Sequence, residues 1–184
     1  MREILHMVVV LFLTAAVSGG ALALVYNGTK DTIAEQVLKN VKEPSIRAIF
    51  DGLDNDPVGD RVEIPVGEDQ TIVAFPAKQG GSLMGVAVEG SGKGYGGDVN
   101  VMVCVSPDGT IKGIGITGHS ETPGLGARCT EEAFLSQFAG MAYEGGVGGQ
   151  VEAITGATIT TDAVVVAVDQ ATATYEANKD EMTK

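Results

Sequence analysis

Residues 4–26 form a run of 23 residues without Asp, Glu, Lys or Arg, in which His6 is the one histidine. As a helix this run is about 34 Å long, enough to cross a hydrocarbon core of about 30 Å. An anchor, a cleaved signal peptide and a buried core helix all begin as such a run. A signal peptide has a shorter apolar stretch followed by a small-x-small cleavage site. Here Ala21-Leu22-Ala23 lies inside the run, so an anchor is favoured. Ser18, Gly19, Gly20 and Ala21 form a patch of small residues that suits close approach by another membrane helix. Arg2 precedes the span and Lys30, Lys39 and Lys42 follow it, a distribution that leans weakly against an outside location for the rest of the chain. A large domain is translocated regardless of so small a bias.

The remainder is long enough for one domain and too short for two. With 24 Asp+Glu against 12 Lys+Arg the formal net charge is -12, which repels a polyphosphate backbone and argues against nucleic-acid binding. The two cysteines, Cys104 and Cys129, are too few for a structural zinc site or for iron–sulfur ligation by this chain alone. They can pair as a disulfide or remain as small apolar residues.

Apolar spacing predicts an amphipathic helix over residues 31–40 on Ile33, Val37, Leu38 and Val41, broken by Pro44, with a short turn over 45–50. Residues 51–60 read as a loop. Strands are expected at 61–66 and 70–75, joined through Gly67-Glu68-Asp69, then at 83–89, 98–106 and 110–117, the last two linked by a Pro107-Asp108-Gly109 turn. Val99, Val101, Val103 and Val105 share one face; Asn100, Met102, Cys104 and Ser106 share the other. Thr130 is expected to cap a helix running to Gly140, and a final helix is expected from about Thr161 to Asn178. The fold class is α+β: one N-terminal transmembrane helix, then a twisted antiparallel sheet packed with helices. The expected organisation is an anchor at 1–27, a helical linker region at 28–60 and a ligand-binding domain at 61–184.

Three segments carry candidate chemistry. In Thr155-Gly156-Ala157-Thr158-Ile159-Thr160-Thr161, four threonines surround a Gly-Ala pair before a helix, whose free N–H groups and partial positive charge favour a phosphate. Ordinary capping by Thr160 or Thr161 accounts for the same residues. In Gly118-His119-Ser120-Glu121-Thr122-Pro123-Gly124-Leu125-Gly126, Pro-Gly demands a tight turn, and His119, Glu121 and Thr122 can meet a polar ring edge. His119 with Glu121 lacks a third metal ligand, and Ser120 beside His119 lacks triad geometry. The third segment, Gly90-Ser91-Gly92-Lys93-Gly94-Tyr95-Gly96-Gly97, reads as a ligand-approach loop or as a long hairpin loop, and it is not a Walker motif.

An anchor, Gly-Tyr-Gly-Gly before a strand, HxETPGLG at His119–Gly126 and TGATITT at Thr155–Thr161 occur in that order. This arrangement resembles the FMN-binding domain family, in particular the G subunit of Rnf-type complexes and the C subunit of sodium-translocating NADH:quinone reductases. The length favours the Rnf type. The resemblance implies FMN esterified to Thr158, the threonine that ends Thr155-Gly156-Ala157-Thr158, with Glu152 standing where aspartate is commoner. It implies a cofactor site of Thr155, Gly156, Ala157, Thr158, Thr160, Thr161, His119, Glu121, Thr122, Pro123, Gly124, Leu125, Gly126 and Tyr95. It also implies an electron relay between ferredoxin and NAD that drives ion movement, with no small substrate bound here. The expected partners are the other subunits of the complex, a flavin transferase during maturation and the lipid bilayer, with the flavin domain outside the cytoplasmic membrane. A quinone-reductase C-type subunit, a membrane-tethered flavin sensor, a cofactor-free scaffold and a single-component reductase are the competing classes.

Overall fold

The structure, a computed structural model, describes residues 2–66, 70–143 and 145–183. It divides into two compact units, the first ending at Leu38 and the second beginning at Lys39. The first is helix α1 (Arg2–Val37), whose side chains are all exposed. Its apolar stretch has a mean hydropathy of 2.4 and is long enough to cross a membrane. Exposed Leu, Val and Phe along its length are what a lipid-facing helix presents.

The second unit begins with a π-helical turn (Leu38–Lys42) followed by helix α2 (Glu43–Ile49). The expected break at Pro44 does not occur. Proline sits in the first turn of α2, where its missing N–H has no intrahelical partner to lose. Five antiparallel strands then follow in sequence order: β1 (Val62–Val66), β2 (Gln70–Gln79), β3 (Ser82–Lys93), β4 (Asp98–Val105) and β5 (Ile111–Gly118). The expected turn at residues 67–69 lies outside the described residues. The Pro107-Asp108-Gly109 turn forms as the sequence predicts: Gly109 takes φ 88° and donates its N–H to the Ser106 carbonyl at 3.1 Å.

Both faces of the sheet are covered. The cross-strand row Ala74, Val88, Val103 and Ile114 belongs to the main core, together with Ala163, Val164, Ala167 and Val168 of helix α4 (Thr158–Met182). The neighbouring row Phe75, Ala87, Cys104 and Gly113 faces the other way. There α2 closes it, and a methyl group on Gly113 would press on Ile49. The expected alternation in β4 is therefore real in direction, but from Val101 to Val105 both of its faces are apolar and buried.

The glycines of β3 do not form the loop expected at 90–97. Gly90 and Gly92 pair with Val101 and Val99 inside the sheet. A Cβ on either would run into the carbonyl oxygen of Ala167 or Ala163. These glycines let α4 lie directly on the strand, so their role is helix–sheet packing. Only residues 94–97 turn.

Thr130 does not cap a long helix. Residues Gly126–Thr130 form a 3-10 segment in which the Thr130 hydroxyl donates to the Ala127 carbonyl at 2.9 Å. Helix α3 is four residues, Glu132–Leu135, and continues as a 3-10 turn. The final helix opens three residues earlier than expected, at Thr158; its regular path breaks at the expected end, Asn178 (φ -126°, ψ 17°), and beyond that kink helical turns continue to Met182. Cys104 and Cys129 are both free and buried.

Candidate functional site

Two glycine turns flank the site. In the first, Thr122-Pro123-Gly124-Leu125, the Leu125 N–H donates to the Thr122 carbonyl at 3.2 Å and Gly124 has φ 78°. Proline fixes the second position and glycine supplies the positive φ at the third, the requirement of a type II turn. In the second, Ile154-Thr155-Gly156-Ala157, the Ala157 N–H donates to the Ile154 carbonyl at 2.9 Å and Gly156 has φ 80°. A Cβ on Gly156 would stand 3.6 Å from Leu125 Cδ2, so the turns face one another.

Between them lies a cleft of about 570 Å³ lined by Tyr95, Glu121, Thr122, Leu125, Gly126, Gly156, Ala157, Thr158, Ile159 and Thr160. That size is within the range of about 300–1,000 Å³ for small-molecule sites. Tyr95, Leu125 and Ile159 leave apolar surface at its rim, 75%, 49% and 54% exposed. Among the described residues, no lysine or arginine lines it. Its positive element is the start of α4. The N-cap is Ala157, which has no side-chain cap, so the first N–H groups of the helix lack an intrahelical acceptor. Thr158 is the first helical residue and is exposed. Among the described residues its hydroxyl makes no hydrogen bond.

The other threonines have different positions. Thr160 is buried and its hydroxyl donates to Glu121 Oε2 at 2.7 Å. The Thr161 hydroxyl is buried, donates to the Ala157 carbonyl at 3.2 Å and accepts the Ile154 N–H at 3.0 Å. Thr161 therefore supports the turn from below and does not line the cleft. Thr155 is exposed on a separate hollow beside Arg128, Gln137 and Glu152.

Glu121 is 5% exposed. Its Oε1 accepts the Gly96 N–H at 3.0 Å. Burial alone would raise its pKa. The Thr160 hydroxyl, the Gly96 and Tyr95 backbone N–H groups and the nearby His119 together outweigh that, and the carboxyl is held below its ordinary value. Both oxygens thus face protein donors, and the carboxylate stands in the wall of the cleft. His119 is exposed and outside the lining; its Nδ1 accepts the Glu121 N–H at 3.2 Å. Pro123 and Gly124 are exposed in their turn and also outside it. The cleft accordingly gathers Tyr95, Glu121, Thr122, Leu125, Gly126, Gly156, Ala157, Thr158 and Thr160, and leaves out Thr155, Thr161, His119, Pro123 and Gly124. It adds Ile159, which the motifs do not single out. An apolar side chain between two threonines at a helix start is the available signal, because the helical phase turns it outward with Thr158.

Residues 94–173 match the FMN-binding domain family, and residues 1–43 match the RnfG N-terminal region. The chain is 30% identical to the G subunit of the ion-translocating oxidoreductase complex of Cereibacter sphaeroides, over 92% of this chain and 83% of that one. It is also 30% identical to the G subunit of the proton-translocating ferredoxin:NAD(+) oxidoreductase complex of Clostridium ljungdahlii, over 88% of this chain and 85% of that one. The crystal structure of NqrC from Shewanella oneidensis superposes with a TM-score of 0.55 and 24% identity, over 70% of this chain and 74% of that one. That likeness establishes the fold. Identity over nearly the whole length, together with the two family matches, places this chain in the family of G subunits of ion-translocating oxidoreductase complexes, with an FMN-binding domain at residues 94–173.

Proposed function

We propose that the chain is the flavin-bearing electron-relay subunit of a membrane ferredoxin:NAD oxidoreductase that moves ions, and that FMN is esterified through its phosphate to Thr158 Oγ. The observation that carries this reading is the position of Thr158. It is the first residue of helix α4, which has no side-chain cap; its hydroxyl is unengaged among the described residues, and it opens on the cleft. The residues fit the group. The free N–H groups of the first turn of α4 would hold the phosphate, Gly156 leaves room for it, and Tyr95, Thr122, Leu125 and Ile159 would border the ring system. Thr155 and Thr161 would act through the turn that carries Gly156, and Glu121 and Gly126 through the packing beneath it.

When bound, an isoalloxazine supplies one- and two-electron transfer. The chain supplies position and electrostatics. Esterification leaves a single negative charge on the phosphate, which suits a cleft without lysine or arginine. A covalent link also keeps the cofactor in place on a surface that the cytoplasmic flavin pool does not reach. α1 anchors the domain in the bilayer, with the domain on the extracytoplasmic side. A flavin transferase makes the link, and the other subunits of the complex are the electron donor and acceptor.

The test is in-gel flavin fluorescence of the denatured full chain, coexpressed with a flavin transferase. Wild type is expected to fluoresce and Thr158→Ala to be dark. A Thr158→Ala chain as bright as wild type would reject the assignment.

A further inference from the structure

Among the described residues, Glu121 is the one buried side chain that carries a charge, and none of the ion pairs includes it. Its partners are neutral donors: the Thr160 hydroxyl at 2.7 Å and the Gly96 N–H at 3.0 Å. Three glycines make room for it. A Cβ on Gly94 or on Gly126 would strike the carboxylate itself, and one on Gly96 would strike the Ser120 carbonyl next to it. The side chain thereby joins three segments distant in sequence: the 94–97 turn, the loop it stands on and the first turn of α4.

A tie of this shape does not require a charge. Glutamine has the same length, accepts a hydrogen bond through its oxygen and donates one through its nitrogen, and the Thr160 oxygen can accept. A carboxylate removed from water without an ion-pair partner costs free energy that a neutral amide does not. The charge is felt nearby: the buried Cys129 thiol is pushed up to about 11, first by burial and then by Glu121. The feature left to explain is therefore the negative charge, which stands at the wall of the cleft.

We propose that Glu121 is the positioning residue of this site, tying the 94–97 turn to the start of α4, and that its fixed negative charge lowers the reduction potential of the flavin bound beside it. The second half rests on the flavin reading given above. Adding electrons to a group near a fixed anion is disfavoured by simple electrostatics, more so where water is excluded.

Two substitutions in the full, flavin-transferase-matured chain separate the tie from the charge. Glu121→Gln keeps both hydrogen bonds and removes the charge. It is expected to load flavin like wild type and to show a midpoint potential shifted upward in a spectroelectrochemical titration. An unshifted potential in a fully loaded Glu121→Gln chain would overturn the role of the charge. Glu121→Ala removes the tie. It is expected to lose flavin loading several-fold and to lose amide-exchange protection at Gly96, while Thr160→Ser retains both. Unchanged Gly96 protection in Glu121→Ala would overturn the tie. A wild-type chain that carries no flavin would overturn the flavin reading and the potential claim with it. The Gly96 exchange comparison would still decide the tie on its own.

Discussion

The four threonines of residues 155–161 divide into two pairs with opposite roles. Thr160 and Thr161 are buried and their hydroxyls are committed, one to Glu121 and the other to the Ile154 N–H and the Ala157 carbonyl. Thr155 and Thr158 are exposed and commit theirs to no described residue. Residue type does not distinguish the pairs; helical phase does. Because α4 begins at Thr158, a spacing of 3.6 residues per turn sends positions 160, 161 and 164 toward the sheet and leaves 158, 159 and 162 outside. One pair builds the turn, and the other is available for chemistry. Within the second pair only Thr158 opens on the cleft.

Substitution at each position sharpens or breaks this division. The largest effect is expected at Thr158, where alanine removes all bound flavin. Because the cap position is Ala157 and Thr158 caps nothing, thermal unfolding of that variant is expected to stay within about 0.5 kcal/mol of wild type. At Thr161 the outcome reverses. Alanine leaves the buried Ile154 N–H without its acceptor, at a cost of about 1–3 kcal/mol in denaturant unfolding, and flavin is retained in the folded fraction. Gly156→Ala forces a Cβ into left-handed backbone, at about 1–2 kcal/mol in the same assay. The smallest effect is expected for Thr155→Ala, within about 0.5 kcal/mol in stability and with wild-type flavin fluorescence. A dark Thr155→Ala chain beside a bright Thr158→Ala chain would invert the division.

Much of the fold is legible in the residues themselves. The alternation through Val99–Val105 and the Pro107-Asp108-Gly109 turn specify a β4–β5 hairpin by local chemistry, and that hairpin forms. Tertiary packing hides the rest. The glycines at 90 and 92 look like a loop in one dimension. They are strand residues because the backbone of α4 lies against them, a contact between residues more than seventy positions apart. Pro44 looks like a helix breaker and instead begins one, since proline is tolerated in a first turn. In the site, motif order points to the right segments, but a motif does not say which side chains turn inward. Glu121 reads in sequence as facing a ligand; its two oxygens are taken by Gly96 and Thr160, partners 25 and 39 residues away.

Cofactor attachment depends on the Thr158 hydroxyl, and mass spectrometry of the peptide containing Thr155–Thr161, from chain matured in its native host, addresses that directly. The predicted result is a mass increase equal to FMN less one water, with fragment ions that place it on Thr158. A peptide of unmodified mass, or one modified at Thr155, would contradict it.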